Sequence, residues 1–185
     1  MIIDTHCHAG LHKYEPIQSL LYHMKEANVE KAVLIQHGGE FDNSYHVECQ
    51  NKFPGCFASA MLVRPNEGSD SIRKWADKGI VGIRLGASSR ALTSNPLEHW
   101  SSANQLDLVV SALGSPETFL SQEFSEVLQL YPNLHIVIEH LAGVESGDTE
   151  QLRLFRKVLE LAQYEQISMK LPGFGEFCAL PYPFK

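Results

Sequence analysis

Seven short apolar runs alternate with amphipathic stretches along the chain, and this alternation limits the possible folds more than any other feature. The runs are rich in Val, Ile and Leu and mostly lack polar alternation, as expected of parallel strands that helices cover on the outside. The pattern predicts an α/β protein with strands at Ile2–His6, Ala32–Gln36, Phe57–Val63, Ile80–Leu85, Leu106–Ala112, Leu134–His140 and Ile167–Leu171.

Helix start signals lie between these runs. A polar capping residue or a proline precedes each apolar periodicity, as is typical of a first helical turn. The stretch 43–54 gives only a weak helical pattern. The predicted starts are Pro16, Ser69, Asn95–Pro96, Ser115–Pro116 and Asp148 or Thr149.

Two architectures are built from repeated β–α units, an open doubly wound sheet and a closed (β/α)₈ barrel. The open sheet usually carries a glycine-rich phosphate turn after its first strand, and no such motif occurs in this chain. We therefore predict a single domain over 1–185 with a (β/α)₈ TIM-type barrel fold. Because the sequence supplies seven strands, we expect the barrel to be truncated after the seventh strand.

Charge and composition exclude several classes of partner. The 185 residues carry a net charge of -7 and no basic stripe, which argues against nucleic acid and anionic membranes. No run approaches the roughly 20 apolar residues of a membrane-spanning helix. The four cysteines have no C-x-x-C spacing, so we expect reduced thiols and a cytoplasmic protein.

The first strand ends in His-Cys-His, an unusual polar group after an apolar run. Side chains alternate along a strand, so we expect Asp4, His6 and His8 on one face and Thr5 and Cys7 on the other. At the carboxyl rim of a barrel, the His6 and His8 imidazoles could hold one divalent cation or one substrate oxyanion.

Other polar residues also end predicted strands and are candidates for the same rim. His140 follows the sixth strand, and Gln36 and His37 follow the second. Arg84 ends the fourth strand, where it either pairs with a structural carboxylate or binds an anionic substrate, and Lys170 ends the seventh. The remaining histidines of loops and helices are expected to be solvated: His12, His23, His46 and His99.

Five segments, "IDTHCH", "AVLIQHGGEFDNSYH", "GIVGIRL", "NLHIVIEHLAG" and "ISMKLPGFGEF", together resemble the amidohydrolase superfamily. The most similar branch is the amidohydrolase-related group of 2-pyrone-4,6-dicarboxylate lactonases and sugar-lactone hydrolases. This resemblance implies a barrel enzyme that adds activated water to a lactone or a related ester or amide. It further implies that His6, His8 and His140 are catalytic and that Arg84 holds a substrate carboxylate. From their positions at strand ends, Gln36, His37 and Lys170 are further candidates for binding a small acidic substrate.

The chain departs from the family pattern at three strands. The fifth strand has Ser111 where metal-dependent members carry a histidine, and the fourth ends in Arg84 rather than in a modified lysine. We therefore expect at most one divalent ion, zinc for example, held by His6 and His8, and a metal-free mode is equally compatible. The Gly-Ser-Asp motif of the family's eighth strand, whose aspartate activates the water, is also absent, so we expect this chain by itself to show little hydrolysis. If the chain is active, a carboxylate already present, such as Asp4 or Glu176, has to be the water-activating base.

Two alternatives to a lactonase-type hydrolase remain at this point. A metal-dependent decarboxylase of the same superfamily shares the H-x-H pair and the histidine after the sixth strand, but it normally keeps the fifth-strand histidine. An inactive barrel fragment that binds small acids would lack the catalytic carboxylate. Unpaired strand edges would make such a chain oligomeric or prone to aggregation, so we also expect homo-oligomers.

Overall fold

The computed structural model describes residues 1–144 and 147–171, and these form a seven-stranded parallel sheet with the strand order β1-β2-β3-β4-β5-β6-β7. All seven predicted strands are present. Their bounds are β1 Ile3–Cys7, β2 Lys31–Ile35, β3 Phe57–Met61, β4 Gly82–Gly86, β5 Val109–Leu113, β6 Ile136–Ile138 and β7 Ile167–Met169. No eighth strand occurs among these described residues.

Helices connect successive strands, as the alternation predicts. They are α1 Ile17–Glu26, α2 Ser44–Lys52, α3 Ser69–Ala76, α4 Glu98–Gln105, α5 Pro116–Phe119, α6 Gln122–Leu130 and α7 Thr149–Val158, with 3₁₀ turns at His140–Gly143 and Leu159–Gln163. None of the helices in the described part of the chain has the length and apolar character that crossing a membrane requires.

Most element boundaries differ from the sequence prediction by one or more residues, and two of these differences have clear local reasons. The helix expected after Ser115 is divided into α5 and α6, because the Ser121 hydroxyl accepts a hydrogen bond from the Phe124 N–H and so starts a new helix. The fifth strand begins at Val109 rather than at Leu106, because Asp107 adopts a left-handed conformation with φ 52° and ends α4 in a turn.

The sheet is strongly curled, with helices on its convex face. Although β1 and β7 are the two edges of the strand order, the Lys170 Nζ atom after β7 lies 3.4 Å from the His6 Nδ1 atom of β1. The convex face and the helices bury an apolar layer around Ile83, Val110 and Ile136. The concave face surrounds a cavity of about 570 Å³ that is lined mainly by small and aliphatic side chains.

A bulge in β1 changes the predicted faces of this strand. Asp4 pairs with Ala32 and Cys7 pairs with Leu34, so three residues of β1 span the same length as two residues of β2. Cys7 packs in the outer apolar layer as predicted. Thr5, however, lines the concave cavity, and the Asp4 carboxylate accepts the backbone N–H of His6. The predicted faces of Asp4 and Thr5 were therefore wrong, because strict alternation fails at a bulge.

Two histidines that we expected to be solvated are buried. His46 of α2 is 1% exposed, and its Nε2 lies 3.3 Å from the carbonyl oxygen of Ala9. His99 of α4 is 5% exposed, and its Nε2 lies 2.7 Å from the carbonyl oxygen of Glu67. Each imidazole thus ties its helix to a loop on the rim of the sheet.

Candidate active site

Three histidines converge at the carboxyl edge of the sheet. His6 lies in β1, His8 follows β1, and His140 lies two positions after β6. The Nε2 atoms of His6 and His8 are 3.2 Å apart, and the ring centroids of His6 and His140 are 4.4 Å apart. The structure therefore brings together the three imidazoles that the sequence selects as catalytic candidates.

A buried ion pair lies beneath these histidines. The Arg84 Nη2 and Nε atoms donate to the Glu139 carboxylate at 2.7–3.2 Å, and its Nη1 donates to the Gln36 carbonyl oxygen at 3.3 Å. Glu139 has no exposed side-chain surface, and its oxygens lie 3.9 Å from both His6 Nδ1 and His140 Nε2. Of the two roles that the sequence left open for Arg84, the structure shows the pairing with a carboxylate.

Sequence reasoning missed Glu139, although a signal was present. Val137 faces the concave cavity, and Glu139 lies two positions farther along the chain, on the same face by strand alternation. A carboxylate at the inner end of an apolar strand must find a cation, and Arg84 ends another strand of the same sheet. The sequence instead indicates the neighbouring His140 as the candidate at this position.

Ser111 and Lys170 extend this polar group across the gap between the sheet edges. The Ser111 hydroxyl donates to Glu139 at 2.7 Å, and the Lys170 ammonium donates to the Ser111 oxygen at 3.0 Å. Lys170 Nζ also reaches His6 Nδ1, and His8 Nδ1 lies 2.7 Å from the carbonyl oxygen of Ile35. We call this hydrogen-bonded chain the rim network: Ile35, Gln36, Arg84, Glu139, Ser111, Lys170, His6 and His8.

Burial keeps His6 of β1 and His8, which follows β1, uncharged at pH values near 7. Burial, aided by the nearby Lys170 ammonium, lowers the pKa of His6 to about 3 and outweighs the opposing attraction of Glu139. Burial also lowers the pKa of His8, and the Arg84 charge adds to this effect. Both imidazoles are therefore uncharged at physiological pH, which is the state that binds a metal ion, and the low pKa makes His6 a weak base.

The two charged groups next to the histidines have shifted pKa values as well. Burial raises the pKa of Glu139, but the hydrogen bonds and charge of Arg84 outweigh burial and hold this pKa below its ordinary value. Burial lowers the pKa of Lys170, against the attraction of Glu139. Glu139 is therefore an ionised, fully paired carboxylate, and it is a poor proton acceptor.

An open pocket of about 600 Å³ lies above the histidines. Tyr14, which the sequence did not single out, stacks on the His8 ring with centroids 4.4 Å apart and an interplanar angle of 24°. The pocket can accept a small molecule beside the imidazoles. Its lining residues are His6, His8, Lys13, Tyr14, His37, Gly38, Arg84, Leu113 and His140.

The remaining predicted site residues occupy different positions. His37 lines the pocket, with its ring centroid 5.2 Å from that of Tyr14. The Gln36 side chain is buried and holds the loop after β2, since it donates to the Asp42 carbonyl and accepts the His37 N–H. Glu176, one alternative base, lies outside the described residues, and Asp4, the other, does not line the pocket.

A left-handed turn directs His140 over the sheet. All four residues of the turn His140–Gly143 have φ between 49° and 62°, a conformation that costs non-glycine residues free energy and often marks functional sites. The Leu141 N–H donates to the Lys170 carbonyl, which fixes the turn to β7. Gly143 also packs closely on Gly114, whose carbonyl oxygen would lie 3.0 Å from an added Cβ atom.

The donor atoms fit one divalent ion better than two. Two nitrogens bound to one tetrahedral zinc at about 2.0–2.1 Å lie about 3.3 Å apart, close to the 3.2 Å between His6 and His8 Nε2. The contact of His8 Nδ1 with the Ile35 carbonyl is typical of metal-binding histidines. Across the described residues, one group of metal-binding side chains is compact enough to share an ion, His6, Glu139 and His140, within 4.8 Å of one another. Glu139 would have to give up bonds to Arg84 to join it.

Comparison with known proteins places this chain in a family. The family model for amidohydrolases matches residues 3–183. No curated protein is significantly similar to the chain. Solved structures, by contrast, match over almost the whole chain at low sequence identity, and that similarity concerns the fold alone.

Three of these solved structures illustrate the similarity. A probable 2-pyrone-4,6-dicarboxylic acid hydrolase from Acinetobacter baumannii with bound citric acid has a TM-score of 0.78 and 22% identity, over 97% of this chain and 73% of that protein. A candidate hydrolase of the same description from Pseudomonas putida has a TM-score of 0.77 and 18% identity, over 97% and 71%. A zinc-bound amidohydrolase from Burkholderia multivorans has a TM-score of 0.77 and 14% identity, over 95% and 71%.

Proposed function

The chain belongs to the amidohydrolase family, and from that premise we propose that it hydrolyses a lactone, or a related ester or amide, in a small substrate that carries a carboxylate. The observation that carries the proposal is the convergence of His6, His8 and His140 at the base of an open pocket. Two solved structures with the same fold bear the description of 2-pyrone-4,6-dicarboxylic acid hydrolases, which supports a lactone substrate.

The charge around the pocket favours an anionic substrate. Lys13, Arg84 and Lys170 supply three cations, and Glu139 supplies the one carboxylate within the rim network. Arg84 donates three of its five N–H groups to Glu139 and the Gln36 carbonyl, so two N–H groups are left for a substrate carboxylate. Such charge-assisted bonds would orient the substrate against the histidines.

The histidines would carry the proton transfers of the hydrolysis. His140 would accept the proton of the attacking water, because the low pKa of His6 makes that ring a weak base, and an imidazole N–H would stabilise the developing charge on the carbonyl oxygen. Because Glu139 is ionised and saturated with hydrogen bonds, we assign it the role of holding Arg84 and Ser111 in place. A divalent ion held by His6 and His8, when bound, would polarise the carbonyl and lower the pKa of a bound water.

A matched pair of substrates tests this proposal. The chain should hydrolyse 2-pyrone-4,6-dicarboxylate with measurable kcat/KM, and 2-pyrone without carboxylates at least about tenfold more slowly, as expected from the loss of roughly 1.4 kcal/mol or more of charge-assisted binding. His140→Gln should abolish turnover without loss of the folded state, as monitored by circular dichroism. His23→Gln, on the exposed side of α1, is the matched control.

Three results would contradict the proposal. Folded protein that turns over no lactone, ester or amide in such a panel would support a binding function instead. Release of carbon dioxide would support the decarboxylase alternative. Equal rates for the two pyrones would show that the cations of the pocket do not select the substrate.

A further inference from the structure

We propose that Lys170 determines the metal affinity of the site, because it holds His6 in a proton arrangement that opposes binding of a divalent cation between His6 and His8. Replacement of Lys170 should therefore convert the histidine pair into a tighter zinc site. The inference concerns ion binding and does not depend on which bond the enzyme hydrolyses.

The hydrogen-bond donors of the rim network fix the position of one proton. A lysine ammonium has three donors and no acceptor, so His6 Nδ1, 3.4 Å from Lys170 Nζ, must accept. The His6 proton then resides on Nε2 and points to His8 Nε2 at 3.2 Å. His8 in turn donates through Nδ1 to the Ile35 carbonyl at 2.7 Å. Each bond of this series has one donor and one acceptor.

A metal ion requires the opposite arrangement at His6. Ligation uses an imidazole nitrogen without a proton, so an ion shared with His8 would move the His6 proton from Nε2 to Nδ1. The Nδ1–H group would then face the Lys170 ammonium at 3.4 Å, so that two donors meet, while the nearest carboxylate oxygen, that of Glu139, lies 3.9 Å away, beyond hydrogen-bond distance. Histidine ligands in metal sites instead donate this second N–H to a carboxylate or a carbonyl.

Lys170 cannot move away from His6 without cost. It is 8% exposed, and its ammonium also donates to Ser111, which donates to Glu139. A lysine that turned away would leave the Ser111 oxygen without its donor in a buried site. The Lys170 charge would in addition repel the arriving cation, because the Glu139 carboxylate is already paired with Arg84.

Zinc affinity measured by competition with a chromophoric chelator tests the inference. Lys170→Met removes the charge and the donors, and Lys170→Gln also offers an amide oxygen to His6 Nδ1–H. We expect both variants to bind one zinc at least about tenfold more tightly than the parent chain, with Lys170→Gln the tighter, since such supporting groups change metal affinity by about 10–100-fold. Cobalt, as a spectroscopic probe, should show tetrahedral absorption bands in both variants.

Two control variants separate the proposed cause from general effects of charge. Lys170→Arg keeps a cation with donors, and Lys13→Met removes an exposed cation of the same pocket that does not contact His6. We expect zinc affinity to change less than about threefold in Lys170→Arg, because the charge and the donors at this position are kept. We expect an equally small change in Lys13→Met, because exposed charges are screened by water and salt. Lys170→Gln combined with His6→Gln should lose the gained affinity.

The inference is overturned if folded Lys170→Met and Lys170→Gln bind zinc no more tightly than the parent chain. If neither variant folds, a measurement on the unaltered chain still tests the inference. Nitrogen-15 spectra of the imidazoles, recorded without metal, should show the His6 proton on Nε2. A proton on Nδ1 would equally overturn the inference.

Discussion

The buried Arg84–Glu139 pair makes a quantitative prediction about stability. Arg84→Met removes the charge that compensates a carboxylate with no exposed surface, together with the hydrogen bonds from Nε and Nη2. Removal of one partner of a buried pair typically costs about 3–5 kcal/mol, because the other charge stays buried and uncompensated. We therefore expect the free energy of unfolding, measured by urea denaturation, to fall by about 3–5 kcal/mol.

A double-mutant cycle and an exposed control pair define the assay. Arg84→Met with Glu139→Leu removes both charges, and this double variant should recover more than half of the loss. The exposed pair between Arg153 and Glu150 has a similar N–O distance of 2.6 Å, yet Arg153→Met should leave the urea midpoint almost unchanged, because water screens an exposed pair. Additive losses in the cycle, or a loss for Arg84→Met as small as that for Arg153→Met, would refute the reasoning.

Two further predictions follow from the site. Because the pKa of His6 falls from 6.5 to about 3 on folding, the unfolded chain binds a proton in this range that the folded chain does not, so stability should fall as the pH drops from about 6.5 towards 3. In urea denaturation of the His6→Gln variant, the free energy of unfolding should depend less on pH over this range than it does in the parent chain. An equal pH dependence in the two proteins would contradict the prediction. Gly114→Ala, whose Cβ would overlap the Thr118 hydroxyl oxygen and meet Phe119 and Ala87 at 3.1 Å, should cost about 1–3 kcal/mol, whereas Gly38→Ala, with open space around it, should be nearly neutral in the same measurement.

The sequence predicted the features that depend on local pattern. Buried parallel strands require near-continuous Val, Ile and Leu, so the seven strands could be recognised one at a time. The carboxyl ends of parallel strands meet at one edge of the sheet, which is why the sequence alone predicts that His6, His8 and His140 lie together. Ser121, which divides the predicted helix after Ser115, was misread because a short polar interruption resembles an exposed helical turn.

The sequence indicates which residues need a partner, but it does not determine which distant segments meet. Arg84 and Glu139 are 55 positions apart, and only the register of β4, β5 and β6 decides that they meet rather than bind separate groups. The bulge that exchanges the faces of Asp4 and Thr5 has no distinctive residue in the sequence. The burial of His46 depends likewise on the loop around Ala9, which covers it from another part of the chain.

Hydrolysis in oxygen-18-labelled water tests the central claim most directly. If the histidine site activates water, 2-pyrone-4,6-dicarboxylate should be converted to a ring-opened product that carries one oxygen-18 atom in the new carboxylate, as read by mass spectrometry. The His140→Gln variant, folded by circular dichroism, should form no labelled product above the uncatalysed background. Product without the label, or equal labelled product from the His140→Gln variant, would contradict the assignment of this site as a hydrolase centre.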